Sequence, residues 1–416
     1  MRFWTVGDSG GTGRAVTVGR ITGAALAGLV IVSGLVTGAQ TPARQAENVK
    51  SGCVGRFDPE TDYFPDKAVI EDAANFRVEY QKSYKLVTVR QAGAGGPAES
   101  YVLVQCGAPA PKLAGALAGA HLVVVPIASL FVSSPTHLAP LADLDRIEVL
   151  TGVARRDAVM DPRAEARIRA GKVVEFAKVG LVPDVERVVA ERPSLLMASA
   201  TSGTALAVIR SAGVPVVINT EWLESTALGR AEWLKYMALF LNEEGRAQAL
   251  YRAMSDRYRL ISTRAQAGPE SARPLVMTGR STRGVFVIAG GRSYVASLIA
   301  DAGGRYAWAD NTSAGTASID LEAQIQRAAN ADVWINGGGW TNQAAMLENE
   351  PRYREFKAYR QGQVWVYERR EMPGGGNDYW SRSVTHPDLL LADLVKIFHP
   401  ALAKAHEFEW YKPVAR

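Results

Sequence analysis

The sequence lacks the motifs that mark the common enzyme classes. No GxGxxG follows a predicted strand, GxxxxGK[ST] and HExxH are missing, and the single GxSxG, at residues 7–11, lies in the N-terminal segment before any predicted strand. These motifs bind dinucleotides, cradle phosphates, hold zinc and expose a serine nucleophile, respectively. Only five histidines occur in 416 residues, and no two of them have ligand spacing on one helix. The sequence therefore predicts neither an enzyme nor a protein with its own metal or cofactor.

Strong charge of either sign is also missing. Lys and Arg number 47 against 42 for Asp and Glu, which gives a formal net charge of +5. No helix or stripe is dense in Lys and Arg, so we expect no nucleic-acid partner. Hydrophobic residues make up 47% of the chain and charged residues 21%, which is ordinary for a globular protein. A chain of this length is expected to form two or three domains.

The first 39 residues have the composition of a secretory signal peptide. An apolar stretch rich in small residues, 21–38, follows Arg14 and Arg20 and ends near Ala39. This order of charged, apolar and small residues predicts cleavage after Ala39 and export to the periplasm. A retained transmembrane anchor is the alternative, although the Gly and Ala content makes a weak span.

Cysteine is scarce, with Cys53 and Cys106 as the two examples. In an oxidising compartment two cysteines of one exported domain most simply form a disulfide. The alternative is lipidation of Cys53 as in a lipoprotein. Against that, Lys50-Ser51-Gly52 lacks the apolar residue expected before a lipidated cysteine.

The remaining pattern predicts an α/β fold with two Rossmann-like lobes. Strand-rich segments come first, and strands then alternate with helices in two separate runs. Between the runs, apolar residues recur at spacings of three and four, and Asn242 is a candidate cap for one long helix. The predicted organisation is a β-rich N-terminal extension (40–120), a first lobe (121–241), an interlobe helix (242–267) and a second lobe (268–416).

One short unit occurs in both lobes. The first copy begins Asp184-Val185-Glu186 and leads to Leu195-Leu196-Met197; the second begins Asp320-Leu321-Glu322 and leads to Val333-Trp334-Ile335. Each is typical of a helix capped by Asp that leads into a buried strand. Each places one glutamate on the first helical turn, where the helix dipole favours negative charge.

The loops that follow predicted strands contain aromatic residues, arginines and glycines. Ligands of open α/β sheets bind outside the carboxyl ends of the strands, and aromatic faces with Arg forks suit a large, flat, partly anionic ligand. His137 also follows a strand and is a structural or capping residue, a ligand contact or a metal ligand. The predicted ligand-binding residues are His137, Trp222, Arg280, Arg283, Arg292, Tyr294, Trp340, Tyr379 and Trp380.

Three stretches, 183–196, 318–335 and 377–400, resemble the periplasmic binding proteins that deliver ferric siderophores or cobalamin to ABC importers. The resemblance covers roughly residues 147–402, and the closing stretch, from Asn377 to Pro400, is its most specific part. It departs from the family at Ser194, a position that is commonly Asp. The resemblance implies a helical-backbone protein with two lobes, which we expect to be a monomer.

The resemblance also implies roles. Glu186 and Glu322 would dock onto arginines of the membrane permease, and the cleft between the lobes would bind a ferric siderophore. Cobalamin and a bare metal ion are the alternative ligands. An exported enzyme or a sensor domain that reuses the fold is the remaining alternative, because a fold does not by itself fix a function.

Overall fold

A computed structural model describes residues 47–177, 182–199, 203–372 and 375–416. The predicted signal peptide, 1–39, lies outside these residues. Within them, no helix combines the length and the apolar character needed to cross a membrane.

The predicted β-rich extension forms a sheet with the strand order β1-β2-β3-β4. Its strands are β1 (Phe76–Tyr80), β2 (Tyr84–Val89), β3 (Glu99–Gln105) and β4 (His121–Val125). The first three pair in antiparallel fashion, and β4 joins β3 in parallel. The sheet therefore crosses the boundary predicted at residue 120. A disulfide between Cys53 and Cys106 ties the start of the described chain to the end of β3.

The first lobe is a parallel sheet with the order β7-β6-β5-β8-β9. Its strands are β5 (Leu130–Val132), β6 (Leu150–Val153), β7 (Val174–Glu175), β8 (Leu195–Ala198) and β9 (Val216–Ile218). Its helices are α1 (Leu138–Asp143), α2 (Pro162–Arg169), α3 (Val185–Glu191) and α4 (Gly203–Ser211). This order is that of a Rossmann sheet, in which ligands bind where the order reverses, here between β5 and β8.

Helices α5 (Ala227–Ala231), α6 (Trp233–Leu241) and α7 (Glu244–Gln266) join the lobes. Ala247 of α7 packs into the core of the first lobe, and Tyr251, Met254 and Tyr258 pack into that of the second. The expectation that Asn242 opens this helix is wrong. Asn242 has φ 57° and closes α6, because amide side chains tolerate the left-handed conformation that ends a helix.

The second lobe has a sheet ordered β13-β10-β15-β16-β17, parallel except for β17, and a small antiparallel sheet ordered β11-β12-β14. Its strands are β10 (Leu275–Thr278), β11 (Arg280–Thr282), β12 (Val285–Ala289), β13 (Arg305–Tyr306), β14 (Thr316–Asp320), β15 (Val333–Ile335), β16 (Val364–Val366) and β17 (Lys412–Pro413). Its helices are α8 (Tyr294–Asp301), α9 (Leu321–Ala328), α10 (Gln343–Asn349), α11 (Lys357–Gln361) and α12 (Pro387–Phe398). The order of the larger sheet reverses between β10 and β15.

The extension is fastened to the lobes by buried charge. Lys85 of β2 lies 2.6 Å from Glu244 at the start of α7, and both side chains are fully buried. The carboxylate of Glu232 accepts hydrogen bonds from the backbone N–H groups of residues 71–73. Removing one partner of such a pair leaves an uncompensated buried charge, so the extension is an integral part of the fold.

Candidate functional site

A cavity of about 470 Å³ opens at the carboxyl ends of β10 and β15, where the strand order of the second lobe reverses. Open α/β sheets bind ligands at this position. Gly279 makes the site possible, since its φ of 88° turns the chain from β10 into β11. A Cβ on Gly279 would lie 1.9 Å from the carbonyl oxygen of Val287, so only glycine fits there.

Four of the predicted ligand-binding residues line this cavity: Arg280, Tyr294, Tyr379 and Trp380. Arg280 reaches the cavity from β11, and Tyr294 begins α8 behind the cap Ser293. Tyr379 and Trp380 come from the closing segment, and their rings meet edge to face at 4.9 Å.

Sequence reasoning missed other residues of the same cavity, among them Asn336, Tyr367 and Glu368. The ring of Tyr367 stacks on that of Tyr379 with the centroids 4.3 Å apart. Burial raises the pKa of Tyr367 to about 12, so this ring stays neutral at physiological pH. Tyr367 and Glu368 directly follow β16, and the rule that ligands gather at strand ends would have found them.

The cation behind Tyr294 comes from the connecting helices. The guanidinium of Arg230 lies 4.6 Å from the centroid of the Tyr294 ring. Arg230 is buried and donates to Glu221 at 3.3 Å. This contact places the buried cation of a connecting helix directly behind the Tyr294 wall of the cavity. No pattern in the sequence indicated it.

The other predicted ligand-binding residues lie elsewhere. Trp340 is buried against Trp334 and Tyr353, because the backbone at Gly337 leaves room for its ring. Arg283 is exposed at the turn after β11, and Arg292 lines a separate surface pocket. Trp222, with 39% of its surface exposed, follows β9 and does not line the second-lobe cavity.

The position of His137 after a strand allowed the interpretation that its side chain contacts a ligand in the cleft. In the structure this side chain does not face solvent. It is fully buried, and neither ring nitrogen has a hydrogen-bond partner among the described residues. Burial lowers the pKa of His137 to about 4, partly offset by Glu221. The neutral imidazole is thus the form that the fold accommodates.

The first lobe has a smaller cavity of about 150 Å³ at the ends of β5 and β6. Its walls are mainly apolar, with Ser133, Ser134 and Arg155 as polar members and no aromatic residue among the lining residues that the structure describes. At the point where the strand order reverses, Ser133 accepts a hydrogen bond of 2.9 Å from the backbone N–H of Ser199. The carboxyl ends of the two sheets therefore offer different surfaces to a ligand.

The lobes meet along a seam beside these cavities. The imidazole Nε2 of His386 lies 3.7 Å from the carboxylate of Asp143 in α1. Gly376 packs so closely on the first lobe that an added Cβ would lie 2.7 Å from the backbone oxygen of Asp157. The closing segment of the second lobe thus touches the first lobe next to the second-lobe cavity.

The two predicted docking glutamates occupy equivalent positions. Asp184 caps α3 and Asp320 caps α9, each by accepting from the N–H three residues on. Glu186 and Glu322 are both exposed on the first turns. Glu322 differs in that it accepts from Arg352 at 2.5 Å.

Comparison with known proteins agrees with this geometry. The family model of the periplasmic binding proteins matches residues 151–370, which is more than half of the chain. The chain belongs to this family of ABC-importer binding proteins, as the resemblance of its sequence predicted. Members of the family bind solutes rather than catalyse reactions, which agrees with the missing catalytic motifs.

Curated relatives are distant. An uncharacterized lipoprotein of Methanocaldococcus jannaschii is 27% identical over 207 residues, which are 50% of this chain and 47% of the relative. A second uncharacterized lipoprotein of that organism is 23% identical and covers 78% of this chain and 83% of its own length. The chain thus spans about half of the first relative's length. The names of these relatives agree with an exported protein.

Solved structures share the fold. A possible iron-binding periplasmic solute-binding protein of Staphylococcus epidermidis has a TM-score of 0.51 at 17% identity, covering 65% of this chain and 98% of its own. The Helicobacter pylori protein CeuE, solved as a nickel–histidine complex, has a TM-score of 0.52 at 14% identity, covering 68% and 86%. At these identities the likeness establishes the two-lobed fold.

Proposed function

We propose that this protein captures an iron chelate in the second-lobe cavity and delivers it to an ABC importer at the inner membrane. The observation that carries the proposal is the lining of that cavity. It combines the Tyr367–Tyr379 stack and the indole of Trp380 with the guanidinium of Arg280. Aromatic faces pack against the flat organic shell of a chelate, and arginine pairs with its anionic oxygens.

Delivery rests on the paired glutamates. A permease with twofold symmetry presents two equivalent sites, and Glu186 and Glu322 stand at equivalent positions of two similar lobes. Electrostatic pairing of this kind sets orientation and encounter rate. The proposed setting is the periplasm, with the protein either free or held to the membrane as the names of its relatives imply.

Cobalamin remains the second candidate ligand, because the aromatic lining would also accept a flat macrocycle. A bare metal ion would need several His, Cys, Asp or Glu side chains in one place. The part of the chain that the structure describes brings no three of these together in a way that could hold an ion.

Tryptophan fluorescence offers the test, since Trp380 lines the cavity and is 40% exposed. We expect quenching by ferric tris-catecholate or tris-hydroxamate chelates, and weaker or no quenching by ferric ions held by citrate. Trp380→Phe should remove most of the signal, whereas Trp222→Phe, at an equally exposed tryptophan outside the cavity, should preserve it. Binding of cobalamin alone would replace the proposed ligand, and quenching by none of these compounds would refute the proposal.

A further inference from the structure

Glu368 is an acidic residue in a cavity whose other features suit an anion. It begins the turn after β16 and lines the second-lobe cavity. Only 8% of its surface is exposed, and its Oε2 has no hydrogen-bond partner among the described residues. Buried carboxylates are normally paired or hydrogen-bonded, so an unpaired one at a binding cavity indicates a missing donor.

The charges around Glu368 do not supply that donor. Burial raises the pKa of Glu368 and Glu371 raises it further, whereas the residue's own backbone N–H, Lys412 and Arg280 lower it. None of these groups makes a hydrogen bond to Oε2. Desolvation therefore outweighs the attraction of the two cations, and a donor brought by a ligand would relieve the cost.

The rings beside Glu368 favour a cation. Tyr367, the preceding residue, stacks on Tyr379 and meets Trp380 edge to face at 5.4 Å. Faces of such rings attract ammonium groups, and recognition by an aromatic cluster with a carboxylate is a general way to bind a cationic nitrogen. The same recess thus offers both an acceptor and π-faces.

We propose that Glu368 determines specificity by selecting chelates that carry a cationic nitrogen, such as a primary ammonium, beside their metal-binding part. This inference rests on the proposed function. Arg280 would pair with anionic oxygens of the chelate, while Glu368 and the aromatic cluster receive the ammonium. A ligand without that group leaves the carboxylate unpaired and binds more weakly.

The test uses two chelates that differ by one charge. Ferrioxamine B carries a free primary ammonium, and its N-acetyl derivative replaces this group with a neutral amide while keeping the same iron centre. We expect the full-length protein to bind the ammonium form about tenfold more tightly, the size of effect that one buried charged contact produces. Glu368→Gln should reduce the preference to about twofold or less.

Glu371→Gln is the matched control, because Glu371 lies three residues away and is exposed. This variant should keep the preference of the natural protein. Glu368→Gln also removes an unpaired buried carboxylate, so its ligand-free melting temperature should equal or exceed that of the natural protein. If Glu368→Gln loses the preference for the ammonium form while its melting temperature does not fall, the loss comes from a missing contact and not from a damaged fold.

Four outcomes would overturn the inference. Equal binding of the two ferrioxamines, or an unchanged preference in Glu368→Gln, would remove the role of Glu368 and leave iron-chelate capture intact. Binding of a ferric tris-catecholate but of neither ferrioxamine would do the same. Failure of every ferric chelate to bind would refute the proposed function together with the inference.

Discussion

The two lobes carry the same local unit yet present different surfaces to a ligand. In each, an Asp-capped helix places a glutamate on its first turn and leads into the strand just past the reversal of strand order, β8 in one lobe and β15 in the other. At the carboxyl ends of those sheets, the first lobe has serines, aliphatic residues and Arg155, and the second adds tyrosines and a tryptophan to its own arginine. The proposed function assigns docking to the shared feature and ligand recognition to the difference.

Reversing both docking charges tests the shared feature and should give the largest effect. For Glu186→Arg with Glu322→Arg, we expect uptake of iron chelate to fall at least about tenfold, because like charges would then face each other across the interface with the permease. Chelate affinity measured on the purified variant should stay unchanged. Reduced affinity would mean that these residues act on the ligand site rather than on the partner.

Gly279 tests how the second lobe builds its cavity. Gly279→Ala should lower the free energy of unfolding by about 2–4 kcal/mol, since the added Cβ meets the Val287 carbonyl and the residue has positive φ. Gly284→Ala is the control: it also has positive φ, 81°, but no atom lies within 4 Å of an added Cβ. Urea unfolding should show a smaller loss of about 1 kcal/mol for the control. Equal losses would show that φ alone matters here.

His137 makes the first lobe sensitive to acid. Its pKa is lowered to about 4 in the fold, against about 6.5 in an unfolded chain. The unfolded state therefore binds more protons below pH 6.5, and stability is lost as the pH falls from about 6.5 to 4. At about 1.4 kcal/mol for each pKa unit, this group accounts for about 3 kcal/mol.

The measurement is the difference between the natural protein and His137→Gln in urea unfolding at pH 7 and at pH 4.5. The free energy of unfolding should fall less for the variant than for the natural protein between pH 7 and pH 4.5. His121→Gln is the control, because the His121 side chain is only partly buried. The same pH dependence in all three proteins would contradict the role of His137.

A comparison of Arg280 with Arg283 tests whether the wall of the second-lobe cavity or the nearby surface contacts the ligand. Arg280→Ala should weaken binding of an anionic ferric tris-catecholate by about tenfold, because a charged contact is lost. Arg283→Ala, at an exposed position that follows the cavity residue Thr282 and does not itself line the cavity, should change the affinity by less than about twofold. Equal effects in fluorescence titration would argue for a long-range field instead of a direct contact.

The local parts of this comparison could be predicted from sequence. Capping by Asp184 and Asp320 depends on a few neighbouring residues, so the repeat indicated both helices and both strands. Tyr294 was predicted because its loop follows a predicted strand, and in the structure the Ser293 cap sets its position. Pairing over longer distances was harder to predict: β4, with its alternating burial, joins the N-terminal sheet across the expected domain boundary.

Side-chain direction could not be predicted because packing decides it. Trp340 follows a strand as the cavity residues do, yet its ring turns into the core against Trp334. His137 follows a strand as well and is covered on every side. Arg230 lies on a connecting helix, far in sequence from the Tyr294 ring that it contacts.

Locating iron in the bound protein tests the central claim most directly. Crystals grown with a ferric chelate that quenches tryptophan fluorescence would give an anomalous difference peak at the iron absorption edge. We predict one anomalous difference peak in the second-lobe cavity, between Arg280 and the ring of Tyr379. A peak in the first-lobe cavity beside Ser133, with none in the second, would contradict it.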